Sequence, residues 1–387
     1  MRGPAVQPIV IAAGGTGGHF FPAEALAAEL IARGHRIVLM TDSRSGGLSS
    51  PTFAGREQYV IRGAGIAGRG LWRGARAVGA LAAGVVQARG ILARIDAAVV
   101  VGFGGYPCVA PILAARSLRH RPSVILQEQN AVLGRANRFL ASRADVLALG
   151  FAATQRVPAG TRTVVTGNPV RPALSALART SYVAATDRIR LLVLGGSLGA
   201  RVFSDVVPAA LRSLPAALRS RLSVVQQTRP EDLERVKAAY AAPDAGPDAG
   251  SGAGMHGIPA ELSAFFPDVA ARLVAAHLVI ARAGASTVAE LAVAGRPAIL
   301  VPLPGAIDDH QSANARALAE AGGAWVMPQA QFTAAALADR LTSLLNAPAA
   351  LAEAAVSARS QARADAASRL ADLVETHIAL VPAGERI

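Results

Sequence analysis

Residues 277–314, HLVIARAGASTVAELAVAGRPAILVPLPGAIDDHQSAN, decide the fold. They open with a short apolar strand, His277 to Ala281, and turn through Arg282-Ala283-Gly284-Ala285 into a helix over about Ser286 to Ala294. Gly295-Arg296-Pro297 stops that helix, because glycine accepts the left-handed C-terminal position and proline cannot continue the ladder. A second strand, Ala298 to Val301, ends in a loop rich in proline and glycine, and Asp308-Asp309-His310-Gln311 leads into another helix. Strand, glycine turn, helix and strand make a βαβ unit, whose ligand-facing end lies where strands stop and helices start. Ser286 and Thr287 at the helix start offer N–H groups and hydroxyls to an anion such as a phosphate. Glu290, one turn further in, is placed to accept hydrogen bonds from paired ribose hydroxyls. A plain helix cap at Ser286 and a solvated Glu290 is the competing reading.

The same grammar recurs along the chain. Pro8 to Ala13 is a buried-type strand entering Gly14-Gly15-Thr16-Gly17-Gly18-His19, with a helix expected from Pro22 to about Arg33. As a dinucleotide fingerprint the loop is poor, since Phe20 stands where the third glycine belongs. His19 at the strand mouth is either a structural histidine or a general base. Arg36 to Met40 is a strand, and 63–76, GAGIAGRGLWRGAR, reads as a flexible basic loop carrying Trp72. In the helix that follows, Leu71, Val78, Leu81 and Val85 share one arc, with Arg69, Arg73 and Arg76 near its start and Arg89 and Arg94 near its end. Such a segment suits either a membrane surface or an ordinary crossover with snorkelling arginines.

Asp96 to Val101 enters a second glycine loop, Gly102 to Pro107, and Pro122 to Leu126 enters Gln127-Glu128-Gln129-Asn130 before a helix over about Gly134 to Ser142. Asp145 to Leu149 and Thr163 to Thr166 complete a first sheet, and Thr166 to Arg171 reads as an interdomain hinge. The pattern restarts with Ile189 to Leu194 entering Gly195-Gly196-Ser197-Leu198-Gly199-Ala200-Arg201 and a helix from Val202 to about Leu214; Ser223 to Gln226 is a further strand. Residues 241–257 are low complexity and read as a surface insertion. Ala-rich helices from Ala352 to about Leu380 are expected to brace the first domain. The fold class is therefore α/β, two Rossmann-like parallel-sheet domains facing a central cleft.

Composition agrees. At 387 residues the chain is long enough for two domains, and 52% hydrophobic residues with only 4% aromatic ones call for a core of Ala, Val, Leu and Ile. Apolar stretches are expected to be broken short of the roughly 18–20 residues that span a bilayer. The first residues read as a strand rather than a signal peptide. Cys108, the only cysteine, excludes an intrachain disulfide. The net charge of +13 points to anionic partners.

The motifs GGTGGH at 14–19, GFGGYP at 102–107, QEQNAVLGRANR at 127–138, TGNPVR at 166–171, GGSLGAR at 195–201, RAGASTVAE at 282–290 and DDHQSANA at 308–315 stand in one order. In that order the chain resembles the MurG-type N-acetylglucosaminyltransferases of peptidoglycan synthesis, which have the glycosyltransferase B architecture. The resemblance implies inverting transfer of N-acetylglucosamine from its UDP donor to the C4 hydroxyl of the undecaprenyl-linked acceptor lipid I, giving lipid II, at the cytoplasmic face of the inner membrane. It implies domains at 1–171, facing acceptor and membrane and braced by a C-terminal helix at 366–387, and at 172–365, holding the UDP-sugar.

Arg171 and Ser197 would contact the diphosphate, Ala285, Ser286 and Thr287 would offer the helix start, Glu290 would hold the ribose and Gln311 the sugar. Backbone near Phe266 would read the uracil. Thr16, Gly17, Gly18 and Asn130 would complete the donor site, while His19, Tyr106 and Glu128 would lie towards the acceptor, with His19 and Glu128 the catalytic candidates. No Asp-x-Asp stands in a strand-end loop, so neither a metal nor another cofactor is expected. Residues 65–94 would dock on anionic lipid. Rivals are another UDP-sugar enzyme, either a lipid glycosyltransferase or a UDP-N-acetylglucosamine 2-epimerase, and a nicotinamide-dependent oxidoreductase. The sparse aromatics and scattered arginines argue against nucleic acid as a partner.

Overall fold

The structure, a computed structural model, describes residues 7–15, 17–43, 50–62, 71–196, 199–242 and 257–379, with the backbone alone at 71–75. Thr16, Ser197, Arg69, the Trp72 and Arg73 side chains, 243–256 and 380–387 lie outside the described residues. The chain divides into two compact units, 1–172 with 363–387, and 173–362.

In the first unit seven strands are β1 (Ile9–Ala12), β2 (Ile37–Thr41), β3 (Gln58–Val60), β4 (Val99–Gly102), β5 (Ser123–Glu128), β6 (Val146–Leu149) and β7 (Thr163–Val165). They form one parallel sheet in the order β3-β2-β1-β4-β5-β6-β7. In the second unit β8 (Ile189–Leu194), β9 (Leu222–Gln227), β10 (Ala260–Ser263), β11 (Leu278–Ala281), β12 (Ala298–Leu300) and β13 (Ala324–Val326) form a parallel sheet in the order β10-β9-β8-β11-β12-β13. Each order reverses direction once, between β1 and β4 and between β8 and β11. An open parallel sheet presents its ligand crevice at such a switch point, because the loops leaving the two strands diverge there.

Central strands are buried on both faces, as helix-covered parallel sheets require. In the first unit Val10, Ala12, Val100 and Val124 pack one way, against Leu92 and Ile112. Ile9, Ile11, Val99 and Val101 pack the other way, against Leu26, Leu30, Leu370 and Val374. The helix Ala366–Ala379 thus completes the first core from the far end of the chain. Arg33 secures it, donating to Asp372 at 2.6 Å, to Glu375 at 2.7 Å and to Ser368 Oγ at 2.7 Å. In the second unit Gly295 adopts φ 59°, and Arg359 caps the helix end by donating to the carbonyls of Val293 at 2.8 Å and Ala294 at 3.0 Å.

The elements depart from the sequence reading in three ways. Edge strands β3, β10 and β13 are absent from it, being three or four residues long with no periodicity to detect. The first helix spans Gly17–Ala32, so it begins five residues before Pro22. Proline usually marks a first helical position, but here it sits inside the helix, and packing of Phe20 into the core overrides the poor propensity of two glycines. The helix Leu71–Ile95 likewise starts within the stretch read as a loop.

Its segment Arg76–Ile95, 20 residues of mean hydropathy 1.4, is long and apolar enough to cross a membrane, contrary to the expectation that every apolar stretch is too short. One face, with Ala77, Ala88 and Leu92, is buried; Val78 and Val86 on the other are 65% and 72% exposed. Gly84 lets this helix lie against the Arg62 carbonyl, where any Cβ would collide.

Leu370→Ala removes a fully buried side chain from the first core. It is expected to lower the unfolding free energy by about 2–5 kcal/mol in urea denaturation. A loss under about 1 kcal/mol would detach this helix from that core.

Candidate functional site

At the first switch point Ala12 of β1 is level with Gly102 of β4, and the Phe103 N–H donates to the Ala12 carbonyl at 3.0 Å. The chain leaves β1 through Gly15 at φ 84° into the helix, which places Gly17, Gly18 and His19 in its first turn rather than in a loop. It leaves β4 through Gly104 at φ 77° and Gly105 at φ 65°, ψ −178°, a region essentially closed to residues with a side chain. A Cβ on Gly105 would stand 3.2 Å from His19 Nε2 and 3.1 Å from its Cδ2. Glycine here keeps that edge of the imidazole clear of a side chain.

His19 is half-buried, and its Nδ1 lies 2.7 Å from Gln129 Oε1. Glu128, at the end of β5, is 2% exposed. Its Oε1 accepts from the Asn130 backbone N–H at 2.9 Å and side-chain amide at 3.0 Å; its Oε2 accepts from the Gly134 N–H and the Asn137 amide, each at 2.9 Å. Four donors occupy the carboxylate. The group is turned inward and staples residues 128–137, which is how a buried charge is tolerated. Asn130 is thereby held at the mouth. The Tyr106 hydroxyl is buried with no hydrogen-bond partner among the described residues. Cys108 is fully buried, and burial pushes its thiol up to about 12, so it carries no nucleophile.

Arg171 falls in the first unit, its guanidinium 4.8 Å from the centre of the Phe21 ring. Phe21 in turn lies against Gly17, where a Cβ would come within 2.8 Å of the ring. The helix start, the aromatic ring and the arginine are one stack.

At the second switch point Leu194 of β8 is level with Ala281 of β11. Gln227 ties the loop after β8 in place: its Oε1 accepts from the Gly195 N–H, and its Nε2 donates to the carbonyls of Gly196 and Ala264, all at 3.1 Å. After β11 the helix Ala285–Ala294 is capped by Gly284 in extended conformation, with no side-chain cap bond. Ser286 is thus the second helical residue and not the cap. Its Oγ is buried without a hydrogen-bond partner among the described residues. Thr287 and Glu290 are half-buried on the same helix.

The Arg282 guanidinium is taken up by its neighbours. It donates to the carbonyls of Val301 at 3.1 Å and Pro302 at 3.2 Å and to Gln329 at 2.7 Å, and burial lowers its pKa. Gln311 Oε1 accepts from the Leu303 N–H at 2.9 Å, so the glutamine holds the loop above β12. The Phe266 ring is buried under Arg272, whose guanidinium carbon stands 4.1 Å from its centre. Among the described residues no group of three or more His, Cys, Asp or Glu is gathered to hold a metal ion.

The structure brings His19, Tyr106, Glu128, Asn130, Gly17 and Gly18 to the mouth of the first sheet, with Arg171 at the helix beside it. Ala285, Ser286, Thr287 and Glu290 stand at the mouth of the second sheet. Sequence reasoning missed the glutamines 129 and 227 as anchors of these loops. Their signal was position, since each closes or directly follows a buried strand.

Comparison with known proteins agrees with this geometry. Residues 9–148 match the glycosyltransferase family 28 N-terminal domain and residues 190–370 its C-terminal domain. The crystal structure of Acinetobacter baumannii MurG superposes with a TM-score of 0.75 at 31% identity, covering 96% of this chain and 99% of that one. The class is therefore that of two-domain glycosyltransferases of the B architecture. A UDP-N-acetylglucosamine–N-acetylmuramyl-(pentapeptide) pyrophosphoryl-undecaprenol N-acetylglucosamine transferase of Granulibacter bethesdensis is 59% identical over 99% of this chain and 98% of its own length. The protein of that name from Acidiphilium cryptum is 55% identical over 98% and 99%. The chain belongs to the family of these transferases.

Ser286→Ala deletes a buried hydroxyl that has no partner. The thermal midpoint of the ligand-free protein is expected to hold or rise, while UDP affinity by calorimetry falls about tenfold, the worth of one hydrogen bond to a charged group. Unchanged UDP affinity would remove Ser286 from the anion site.

Proposed function

We propose that the protein transfers N-acetylglucosamine from UDP-N-acetylglucosamine to the C4 hydroxyl of the muramoyl sugar in lipid I, with inversion, giving lipid II. The observation that carries this reading is the 59% identity with a transferase of that name over 99% of this chain and 98% of that one. The geometry supports the chemistry. The acceptor oxygen bonds to the anomeric carbon while that carbon's bond to the diphosphate breaks, and UDP departs with its electron pair. Charge developing on UDP is met by the N–H groups of the helix starting at Ala285, by Ser286 and Thr287, and by Arg171. Glu290 holds the ribose, Gln311 the sugar, and backbone near Phe266 the uracil. His19 takes the acceptor's proton, Tyr106 lines the acceptor side, and Asn130 is set on the donor by the inward Glu128.

Transfer of labelled N-acetylglucosamine to a short-chain lipid I analogue in the presence of EDTA tests the reaction. A new β-linked sugar with UDP released is expected. Conversion of the donor to its C2 epimer, or UDP release without acceptor, would instead favour another UDP-sugar enzyme of this fold. His19→Ala is expected to lower turnover by about 10²–10⁴ while donor binding survives. Intact turnover would remove His19 from the mechanism.

The helix Leu71–Ile95 supports a peripheral place at the cytoplasmic face of the inner membrane, since an undecaprenyl chain stays in the bilayer. Its exposed side carries Val78 and Val86 between Arg76 and Arg89, the pattern of an interfacial helix. Replacing Arg69, Arg73 and Arg76 by Gln is expected to weaken sedimentation with phosphatidylglycerol vesicles by roughly 10²-fold, at about 1 kcal/mol per cation. Undiminished sedimentation would sink the lipid contact.

A further inference from the structure

Gln129 directly follows β5 and is 1% exposed. Its amide nitrogen faces three oxygens: the Phe103 carbonyl at 3.0 Å, the Gln127 carbonyl at 3.2 Å, and Oε1 of the Gln127 side chain. Turning the amide over would set its oxygen against those three acceptors. The nitrogen therefore stays on the backbone side, and Oε1 is directed at His19. That oxygen has no hydrogen to give. His19 Nδ1, 2.7 Å away, must supply one, which leaves Nε2 with a lone pair. Nε2 lies on the ring edge beside Gly105, where the chain carries no side chain.

We infer that Gln129 is a positioning residue that locks His19 in the Nδ1–H tautomer, making Nε2 the atom that receives the acceptor hydroxyl's proton. The inference rests on the reading of His19 as the base. As the hydroxyl's O–H bond breaks and its oxygen bonds to the anomeric carbon, the proton passes to Nε2 and the leaving electron pair goes to UDP. The resulting imidazolium keeps its Nδ1–H on Gln129, so the ring does not rotate during transfer. A neutral amide orients the ring without adding a counter-charge, so the proton can be passed on to solvent.

Two-bond ¹H–¹⁵N correlation spectra of the full chain with labelled histidine, at about pH 8 where imidazole is neutral, read the tautomer directly. His19→Ala identifies the His19 signals. The parent is expected to give the Nδ1–H pattern. Gln129→Met, similar in size but without the acceptor, should shift His19 towards Nε2–H. Its kcat should fall about 10- to 10²-fold, part of what a general base supplies, with KM for the UDP-sugar within about twofold. The parent spectrum keeps the test decisive if the Met variant misfolds, because an Nε2–H pattern there already contradicts the lock. An Nε2–H pattern in the parent, or an unchanged tautomer in Gln129→Met, would overturn the inference. Intact turnover in His19→Ala would strike the base reading alone, so the two failures are distinguishable.

Discussion

Both mouths depend on one constraint: neighbouring parallel strands end level where the strand order reverses. Ala12 beside Gly102 and Leu194 beside Ala281 set two loops leaving from the same height in opposite directions. Backbone at such a place must turn at once, and positive-φ glycines make that possible. Gly105 adds a second demand, because a side chain there would press on His19. Strand register thus fixes where His19 and a helix start stand before any side-chain chemistry is considered.

Polar side chains at these mouths divide into those that hold the protein and those that remain available. Glu128, Gln227 and, through its Oε1, Gln311 hold nearby backbone, and each ties a loop to a strand end. A buried polar group without a partner costs free energy, so few are retained. Ser286 Oγ and the Tyr106 hydroxyl are among them, one at each mouth. Each suits a mouth whose last hydrogen bond comes from a ligand.

The large positive charge divides in the same way. Arg282 and Arg359 satisfy main-chain carbonyls at strand and helix ends, and Arg296, 1% exposed, donates to the carbonyls of Leu273 and Val274. For all three, burial lowers the pKa, the mark of cations taken out of water. Net charge therefore overstates what is offered to anions. Arg171 on Phe21 and the exposed arginines of the helix Leu71–Ile95 are better placed for that task.

Much was legible from the sequence. The strands β1, β4, β5, β8, β11 and β12 are built on short apolar runs, each followed by a polar, proline- or glycine-rich loop, and that alternation is a local property of parallel sheets. The motifs at 14–19 and 282–290 could be read for the same reason. Short edge strands could not, since β3, β10 and β13 owe their existence to the neighbour they pair with. Nor could the true start of the first helix, where core packing of Phe20 outweighs two glycines and a misleading proline. The family resemblance made Glu128 a candidate for catalysis. Only tertiary structure surrounds its carboxylate with four N–H donors and sets His19 against Gln129. Proton chemistry depends on what faces a side chain across the fold, and those neighbours lie up to 110 residues away in sequence.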